Sequence, residues 1–397
     1  MRIFIVFFLA INLLVGNSPH IMAQTPKLIP FVKGKRWGFV NAQRDIVIPC
    51  MYDYVYPFSE GLALVELERK FGYINAQGKT VIPLKYDKAQ PFSNGRAKVE
   101  VIFGKRTDGQ FKAGYIDKTG KEIIPIQYLG LTNYRDSLAI IWDGDYNGYI
   151  DYLGKVVIKP QYKFASRFVE NRAWVATQIP KYDVLAGGFL HKQTFLINPQ
   201  GKQLHTVKNA GFESFSEGLC LLIAKTNDST IIRYFIDKQG KKVLDVSEYD
   251  AVHGFTEGLA AVMKDGKLGF IDRTGKLAIP CQYVINFKWF RQDHKRTLFK
   301  FINGRTAVML ASDQSWNIID KQGKTLFSRN YQYLQVATVN QILAKRNNRW
   351  GIISPKGEVV LPLQYTAVKP FKNGLALVRK GKRWFYIDRE GNEYFEE

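Results

Sequence analysis

Short apolar runs separated by turn residues recur along most of the chain. Each run has four to six residues rich in β-branched and aromatic types, and Gly, Pro, Asn or Asp bounds it. Three kinds of run alternate in a fixed order: GLALVEL from Gly61 follows a turn glycine, RWGFV from Arg36 holds an aromatic-Gly pair, and TVIP from Thr80 ends in proline. Runs of this length and composition predict β-strands rather than helices.

The three runs form a unit that is repeated ten times when the copies are aligned on the residue after the aromatic position. The basic period is 34 residues, and insertions lengthen some of the copies. A fixed period of this size is typical of a repeat architecture. The aligned residues are Gly38, Gly72, Gly114, Gly148, Phe195, Tyr234, Gly269, Asn317, Gly351 and Phe385.

The turn between the second and third runs has the pattern Asx-x-x-Gly, as in Asp117 to Gly120. The Asx side chain can bond the backbone ahead of it, and Gly can take a positive φ, so the pattern predicts a hairpin. One carboxylate per turn is too few for a calcium ion. We therefore predict no metal and no cofactor. The prolines that end the third run, such as Pro49 and Pro83, predict a strand end or an edge strand.

Three short strands cannot bury both of their faces alone, so neighbouring units must stack. The predicted fold is all-β: about ten tandem three-stranded meanders, stacked over residues 25–397 as an open β-solenoid or superhelical array. A closed propeller-like ring, or two smaller rings, is the alternative. Propellers usually have four to eight blades, and no run is left over at either end to complete another unit, so the open array is favoured.

The phrases that carry the repeat are KRWGFVN from Lys35, NRWGIIS from Asn348, the Gly-Lys turn, VIP followed by Tyr, and PF.NGLA.V. This pattern resembles the WG-repeat family of exported bacterial proteins, also written KWG, from about Lys27 to the end of the chain. The resemblance implies a repeat architecture and a binding role in the cell envelope. The family has no shared chemistry, so it implies no active-site residues.

Residues 1–24 have the layout of a secretory signal peptide. Arg2 precedes a thirteen-residue apolar run, Ile3 to Val15, that is short for a membrane span. An uncleaved anchor is the alternative. The first Cys is Cys50, so a lipid anchor at the cleavage site is not expected. We expect the mature chain to begin near Thr25, not to span a membrane, and to be secreted or held in the periplasm or cell envelope of a bacterium.

The chain carries 57 basic and 35 acidic residues, a formal net charge of +22. This excess favours anionic partners, although it can also serve only solubility. The expected partner is a protein or an anionic glycan, with no specific nucleic acid, and the oligomeric state stays open. The odd number of cysteines argues against a disulfide framework. Cys50, Cys220 and Cys281 are predicted to be small buried side chains.

The strongest candidate for binding lies in an insertion, Phe287 to Phe301, where basic residues alternate with aromatic ones. A guanidinium beside an indole suits acidic sugars and phosphates. The alternative is an extended hairpin whose aromatic side chains only pack. The candidate binding residues are Trp289, Phe290, Arg291, His294, Lys295 and Arg296.

A lysine follows the turn glycine in most units. Stacked units would place these lysines along one edge, where they could contact a linear polyanion or could only discourage pairing between edges. Other insertions lengthen the hairpin between the first and second strands, and the longest of these is Thr177 to Thr194. The candidate basic edge consists of Lys79, Lys121, Lys155, Lys202, Lys241, Lys276 and Lys324.

These features predict an exported, non-enzymatic scaffold that holds a protein or an anionic glycan on an extended basic face. The alternative is a structural component of the cell envelope without a specific ligand. A carbohydrate-active enzyme is a less favoured reading, because carboxylates from separate units could form a pair. No HExxH, Gly-x-Ser-x-Gly or P-loop pattern occurs, so no catalytic residue is predicted.

Overall fold

The computed structural model describes residues 26–104, 109–183, 185–186, 188–284 and 299–396. Within these ranges the chain forms 38 β-strands and no helix. The predicted all-β class and the tandem repeats are therefore confirmed.

The strands follow the units in chain order. The first four units contain β1 (Ile29–Lys33), β2 (Arg36–Val40), β3 (Ile46–Tyr52), β4 (Tyr54–Val55), β5 (Ala63–Leu67), β6 (Lys70–Ile74), β7 (Thr80–Tyr86), β8 (Lys88–Ala89), β9 (Arg96–Ile102), β10 (Phe111–Asp117), β11 (Glu122–Tyr128), β12 (Gly130–Leu131), β13 (Leu138–Trp142), β14 (Asn147–Asp151) and β15 (Val156–Tyr162). The next three contain β16 (Phe164–Ala165), β17 (Ala173–Ala176), β18 (Lys181–Asp183), β19 (Gly188–Ile197), β20 (Gln203–Phe212), β21 (Cys220–Lys225), β22 (Ile231–Ile236), β23 (Lys242–Asp245), β24 (Ala251–Val252), β25 (Leu259–Lys264), β26 (Lys267–Asp272) and β27 (Leu277–Val284). The last three contain β28 (Arg305–Met309), β29 (Trp316–Asp320), β30 (Thr325–Tyr331), β31 (Tyr333–Thr338), β32 (Gln341–Arg346), β33 (Arg349–Ile353), β34 (Val359–Tyr365), β35 (Ala367–Val368), β36 (Ala376–Lys380), β37 (Arg383–Ile387) and β38 (Glu393–Glu396).

A typical unit is an antiparallel sheet of four strands rather than the three that the sequence predicts. In the second unit the order is β4-β5-β6-β7. The additional strand, β4, has two residues that pair with β5 just before the first apolar run. A pair of residues is too short to show a period, which is why the sequence pattern missed it.

The glycine of the aromatic-Gly pair allows the second and third strands to come unusually close. In the second unit, Phe71 pairs with Tyr86 and Tyr73 with Ile82, so β7 has extra residues, including Pro83, opposite Gly72. A Cβ atom at Gly72 would lie 2.7 Å from the carbonyl oxygen of Ile82. The glycine and the proline of the repeat therefore belong to one bulge. The strand continues beyond the proline, and β7 lies at the edge of its sheet, which agrees with the edge-strand alternative of the prediction.

Neighbouring units pack through the turn glycines. A Cβ atom at Gly120 would lie 3.5 Å from the side chain of Ile82 in the preceding unit, and one at Gly201 would lie 3.3 Å from Ile158. The second strands are buried on both faces as a result: in β2, every residue from Trp37 to Val40 is buried. Trp37 is buried, and its ring centroid lies 5.0 Å from that of Tyr54 in the next unit, so this tryptophan packs between units.

The two ends of the chain meet. Strand β1 pairs in parallel with β38, with Val32 opposite Phe395, and Lys33 forms an ion pair with Glu396 at 3.1 Å. One apolar cluster includes Phe39 from the first unit and Phe385 from the last. The first and last units therefore share one apolar core.

The three cysteines are free, as predicted. Only Cys220 is buried, whereas Cys50 and Cys281 are half-buried. Both half-buried residues follow the proline of the bulge. Cys50 lies on the edge strand β3, and Cys281 lies on β27, which pairs with β28 only at Val284. The prediction of three buried cysteines is therefore wrong for two of them.

The bulge gives a direct test. We expect Gly72→Ala to lower the free energy of unfolding by about 2–3 kcal/mol, because the added methyl group meets backbone atoms that cannot move aside. Gly188→Ala is the control, since a Cβ atom there has no atom within 4 Å and its φ is not positive. Chemical denaturation of both variants checks this, and equal stability would contradict the role of Gly72.

Candidate functional site

The turn between the second and third strands uses its Asx side chain to hold its own backbone. Asp117 Oδ1 accepts hydrogen bonds from the amides of Thr119 at 2.9 Å and Lys121 at 3.0 Å. The Thr119 hydroxyl donates to the same oxygen and, with these amides, lowers the pKa of Asp117. Among the residues that the structure describes, no group of three or more His, Cys, Asp or Glu side chains could hold a metal ion.

The residue after this Asp reaches back to the preceding unit. Lys118 Nζ lies 3.6 Å from Glu60 Oε2, and the same oxygen accepts a hydrogen bond of 2.9 Å from the amide of Gly95. The carboxylate of one unit therefore binds both a backbone amide and a side-chain cation of the next unit. We call these contacts the inter-unit links. The other links are Lys238 with Glu170 at 2.9 Å, Arg273 with Glu217 at 3.7 Å, and Lys321 with Glu257 at 3.4 Å.

The sequence analysis missed the inter-unit links, although the sequence contains a signal for them. The Glu of the Ser-Glu-Gly or Thr-Glu-Gly turn lies in the left-handed region, with φ of 54° at both Glu60 and Glu217. Where Asn94 replaces this Glu, the next unit has Tyr152 in place of the cation. Tyr152 then stacks on Tyr134 at 4.2 Å. The Glu and the cation thus vary together along one chain.

The lysines that follow the turn glycines behave differently from the cations of the inter-unit links. All seven are exposed, and none makes a side-chain hydrogen bond or an ion pair with a residue that the structure describes. Each follows a turn glycine that packs on the preceding unit. We call them the basic margin: Lys79, Lys121, Lys155, Lys202, Lys241, Lys276 and Lys324.

The aromatic and basic insertion lies mostly outside the described residues. This holds for all six candidate binding residues, so their role stays a prediction: Trp289, Phe290, Arg291, His294, Lys295 and Arg296. At its end, Phe299 and Phe301 are buried. Phe301 contacts Phe270 at 5.1 Å, and its amide donates to the Thr256 hydroxyl. The end of the insertion is therefore part of the core.

The longest insertion, Thr177 to Thr194, forms an additional hairpin from β18 and the lengthened β19. His191 lies at its base, 4% exposed, and its ring is 4.5 Å from Phe164 and 5.3 Å from Phe212. Burial among these rings lowers the pKa of His191 to about 4. This histidine is therefore neutral near pH 7 and acts as a packing residue in the fifth unit.

A family of repeats matches this chain. The WG-containing repeat matches residues 37–71, 71–101, 114–141, 148–177, 235–267, 269–284 and 350–384, which together are about half of the chain. The protein therefore belongs to the WG-repeat family, as the motifs indicated. No curated protein matches the sequence.

Several solved structures match this chain at low sequence identity. A eukaryotic initiation factor has 11% sequence identity and a TM-score of 0.47, covering 94% of this chain and 96% of that chain. The acylaminoacyl peptidase of Pyrococcus horikoshii has 11% identity and a TM-score of 0.34, and the match covers 76% of this chain and 51% of the peptidase. Hsv2 of Kluyvelomyces marxianus has 10% identity and a TM-score of 0.30, covering 75% and 94%. Within the described residues, no helix has the length and apolar character that crossing a membrane requires.

We expect Ala substitutions of the two partners in an inter-unit link to lower the free energy of unfolding by different amounts. Glu217→Ala should lower the free energy of unfolding by about 1–3 kcal/mol, because the amide of Gly258, which donates to it at 3.0 Å, loses its acceptor. Arg273→Ala should cost less than about 1 kcal/mol, since its side chain is half exposed. Glu248→Ala, in an exposed pair with Lys264, is the control. Denaturant titration checks the order, and an equal loss for Glu217 and Glu248 would contradict it.

The lowered pKa of His191 predicts a loss of stability in acid. The unfolded chain takes up this proton below about pH 6.5, but the folded chain does so only near pH 4, so stability falls between these values. The loss at pH 4.5 relative to pH 7.5 should be about 2–3 kcal/mol from this group. His191→Phe should be less sensitive to pH by that amount in urea titrations. An unchanged pH dependence in this variant would show that His191 does not carry the effect.

Proposed function

We propose that this protein is an exported, non-enzymatic scaffold that holds a protein or an anionic glycan on its basic margin. The observation that carries the proposal is the division of the turn cations into two groups. The cations of the inter-unit links are already paired with carboxylates, whereas the lysines of the basic margin form no ion pair or side-chain hydrogen bond with a described residue. Lysines that the fold does not use are available to a ligand.

Repetition favours an extended polyanion over a small ligand. Packed sheets lie about 10 Å apart, so successive units present charges at intervals of at least this size. A chain of acidic sugars or an acidic protein surface can contact several of these charges at once, and linked contacts strengthen each other. The net charge of +22 adds a long-range attraction.

We also propose that the ten units form one closed ring. The pairing of β1 with β38 supports this arrangement, as does the apolar cluster that the terminal units share. Closure would leave no terminal unit with a free apolar face. The signal peptide layout of residues 1–24 supports export to the periplasm, the cell envelope or the medium.

Affinity for an immobilised anionic glycan tests the role of the basic margin. Changing Lys79, Lys121, Lys276 and Lys324 together to Gln should lower the salt concentration that elutes the protein from heparin, because four unpaired charges are lost. The control changes Lys33, Lys242, Lys264 and Lys380, which removes the same charge from lysines that already have ion pairs. Equal elution of the two variants would overturn the proposal.

The insertion and the structural alternative need separate experiments. Changing Arg291, Lys295 and Arg296 to Gln tests whether the segment outside the described residues contributes to retention on heparin. A purely structural component of the envelope would show no retention beyond that expected from bulk charge. Both four-lysine variants would then elute together.

A further inference from the structure

The hairpin of β18 and β19 exposes a group of large apolar side chains. We call this group the apolar tip. Among the other described residues, only one large apolar side chain is more than 60% exposed. It is Leu153, which lies alone in a turn and is 82% exposed. A grouped apolar surface of this kind marks an interaction site more often than a single exposed residue does. The apolar tip consists of Ile179 at 73%, Tyr182 at 61%, Leu185 at 62% and Phe189 at 62% exposure.

The hairpin makes contacts within its own unit and one with the next unit. Asp183 Oδ2 accepts a hydrogen bond of 2.8 Å from Lys225 on β21, and its Oδ1 accepts one of 3.0 Å from the amide of Ala186. The backbone of Phe189 passes so close to Gly211 that a Cβ atom there would lie 2.7 Å from its carbonyl oxygen. These contacts fix the hairpin with its apolar side chains in water.

The two strands present their apolar residues together. Tyr182 and Phe189 are opposite each other in the register, and their rings form an edge-to-face contact at 5.5 Å. Leu185 lies in the turn between the strands. The tip therefore presents apolar side chains from both strands and from the turn.

The hairpin and the strand beside it carry several lysines without an ion pair to a described residue. Lys181 and Lys192 on the hairpin and Lys208 on β20 are exposed and make no ion pair with a described residue. Asp183 is the only acidic residue between Thr177 and Thr194, and Lys225 already neutralises it. Such a surface is complementary to a partner with an apolar interior, which the apolar side chains can enter, and with anionic groups at its surface, which the lysines can contact.

A second copy of the chain fits this description poorly, because each copy carries a net charge of +22. A folded protein would need a groove shaped to receive the end of the hairpin. An anionic lipid surface can deform around the tip and supplies phosphate groups at the level of the lysines. We propose that the apolar tip docks on an anionic phospholipid membrane, with Tyr182, Leu185 and Phe189 at the boundary between headgroups and acyl chains.

This inference concerns a surface different from the basic margin, and it can fail independently of the proposed function. The mode of binding is peripheral: the hairpin enters the interface only, as amphipathic surface segments do. This mode of binding also determines how the protein is oriented on the membrane. Docking through the fifth unit alone would leave the basic margins of distant units free for another ligand.

Vesicle sedimentation of the full chain tests the proposal. Vesicles of phosphatidylcholine with about 30% phosphatidylglycerol should bind the protein, and vesicles of phosphatidylcholine alone should bind it weakly. Tyr182→Ser combined with Phe189→Ser should lower the partition onto the anionic vesicles about tenfold or more. Leu153→Ser is the matched control, because it removes a more exposed apolar side chain outside the tip and should bind as the original chain does.

Three checks make the outcome decisive. The conservative variant Tyr182→Phe should retain binding, and circular dichroism melting of the double Ser variant should match the original chain, so that unfolding does not imitate a loss of binding. The double variant should also elute from heparin unchanged, which separates this surface from the basic margin. Equal sedimentation of the double variant and the Leu153→Ser control would overturn the proposal. So would the absence of vesicle binding combined with saturable, tip-dependent binding of a purified protein.

Discussion

The second strand of each unit is buried on both faces, and the rest of the structure depends on this. A single meander cannot supply two apolar surfaces to cover one strand, so every unit needs a neighbour on each side. The bulge at Gly72 and Pro83 brings the third strand close to the second, and Ile82 of that strand then contacts the turn at Gly120 of the next unit. The close approach of the second and third strands recurs in each unit that keeps this glycine, because any side chain there would collide with the backbone of the third strand.

The need for neighbours explains how the cations are distributed. Glu217 and Arg273 form an ion pair between adjacent units, so their charges neutralise each other at the contact between these units. The lysines of the basic margin take no part in these ion pairs. A repeat protein that keeps exposed charges at equivalent positions of successive units presents a regular electrostatic surface, and the apolar tip adds a second surface of different chemistry at the longest insertion.

The hairpin turns and the strand class could be read from the sequence, because each depends on residues close together in the chain. Asp117 and Gly120 define their turn within four residues. The short strand Tyr54–Val55 and the contact between Glu60 and Lys118 could not be read in this way. The strand is too short for a period, and the contact joins residues from separate units.

By itself, the sequence determined the repeating unit, since glycine, proline and Asx residues restrict the local backbone wherever they stand. Only the tertiary structure decided that β1 lies beside β38, because a pairing between residues more than 350 positions apart leaves no local pattern. It also decided which cations are paired and which are free. That distinction depends on the distance between side chains of neighbouring units, and residue type alone does not contain it.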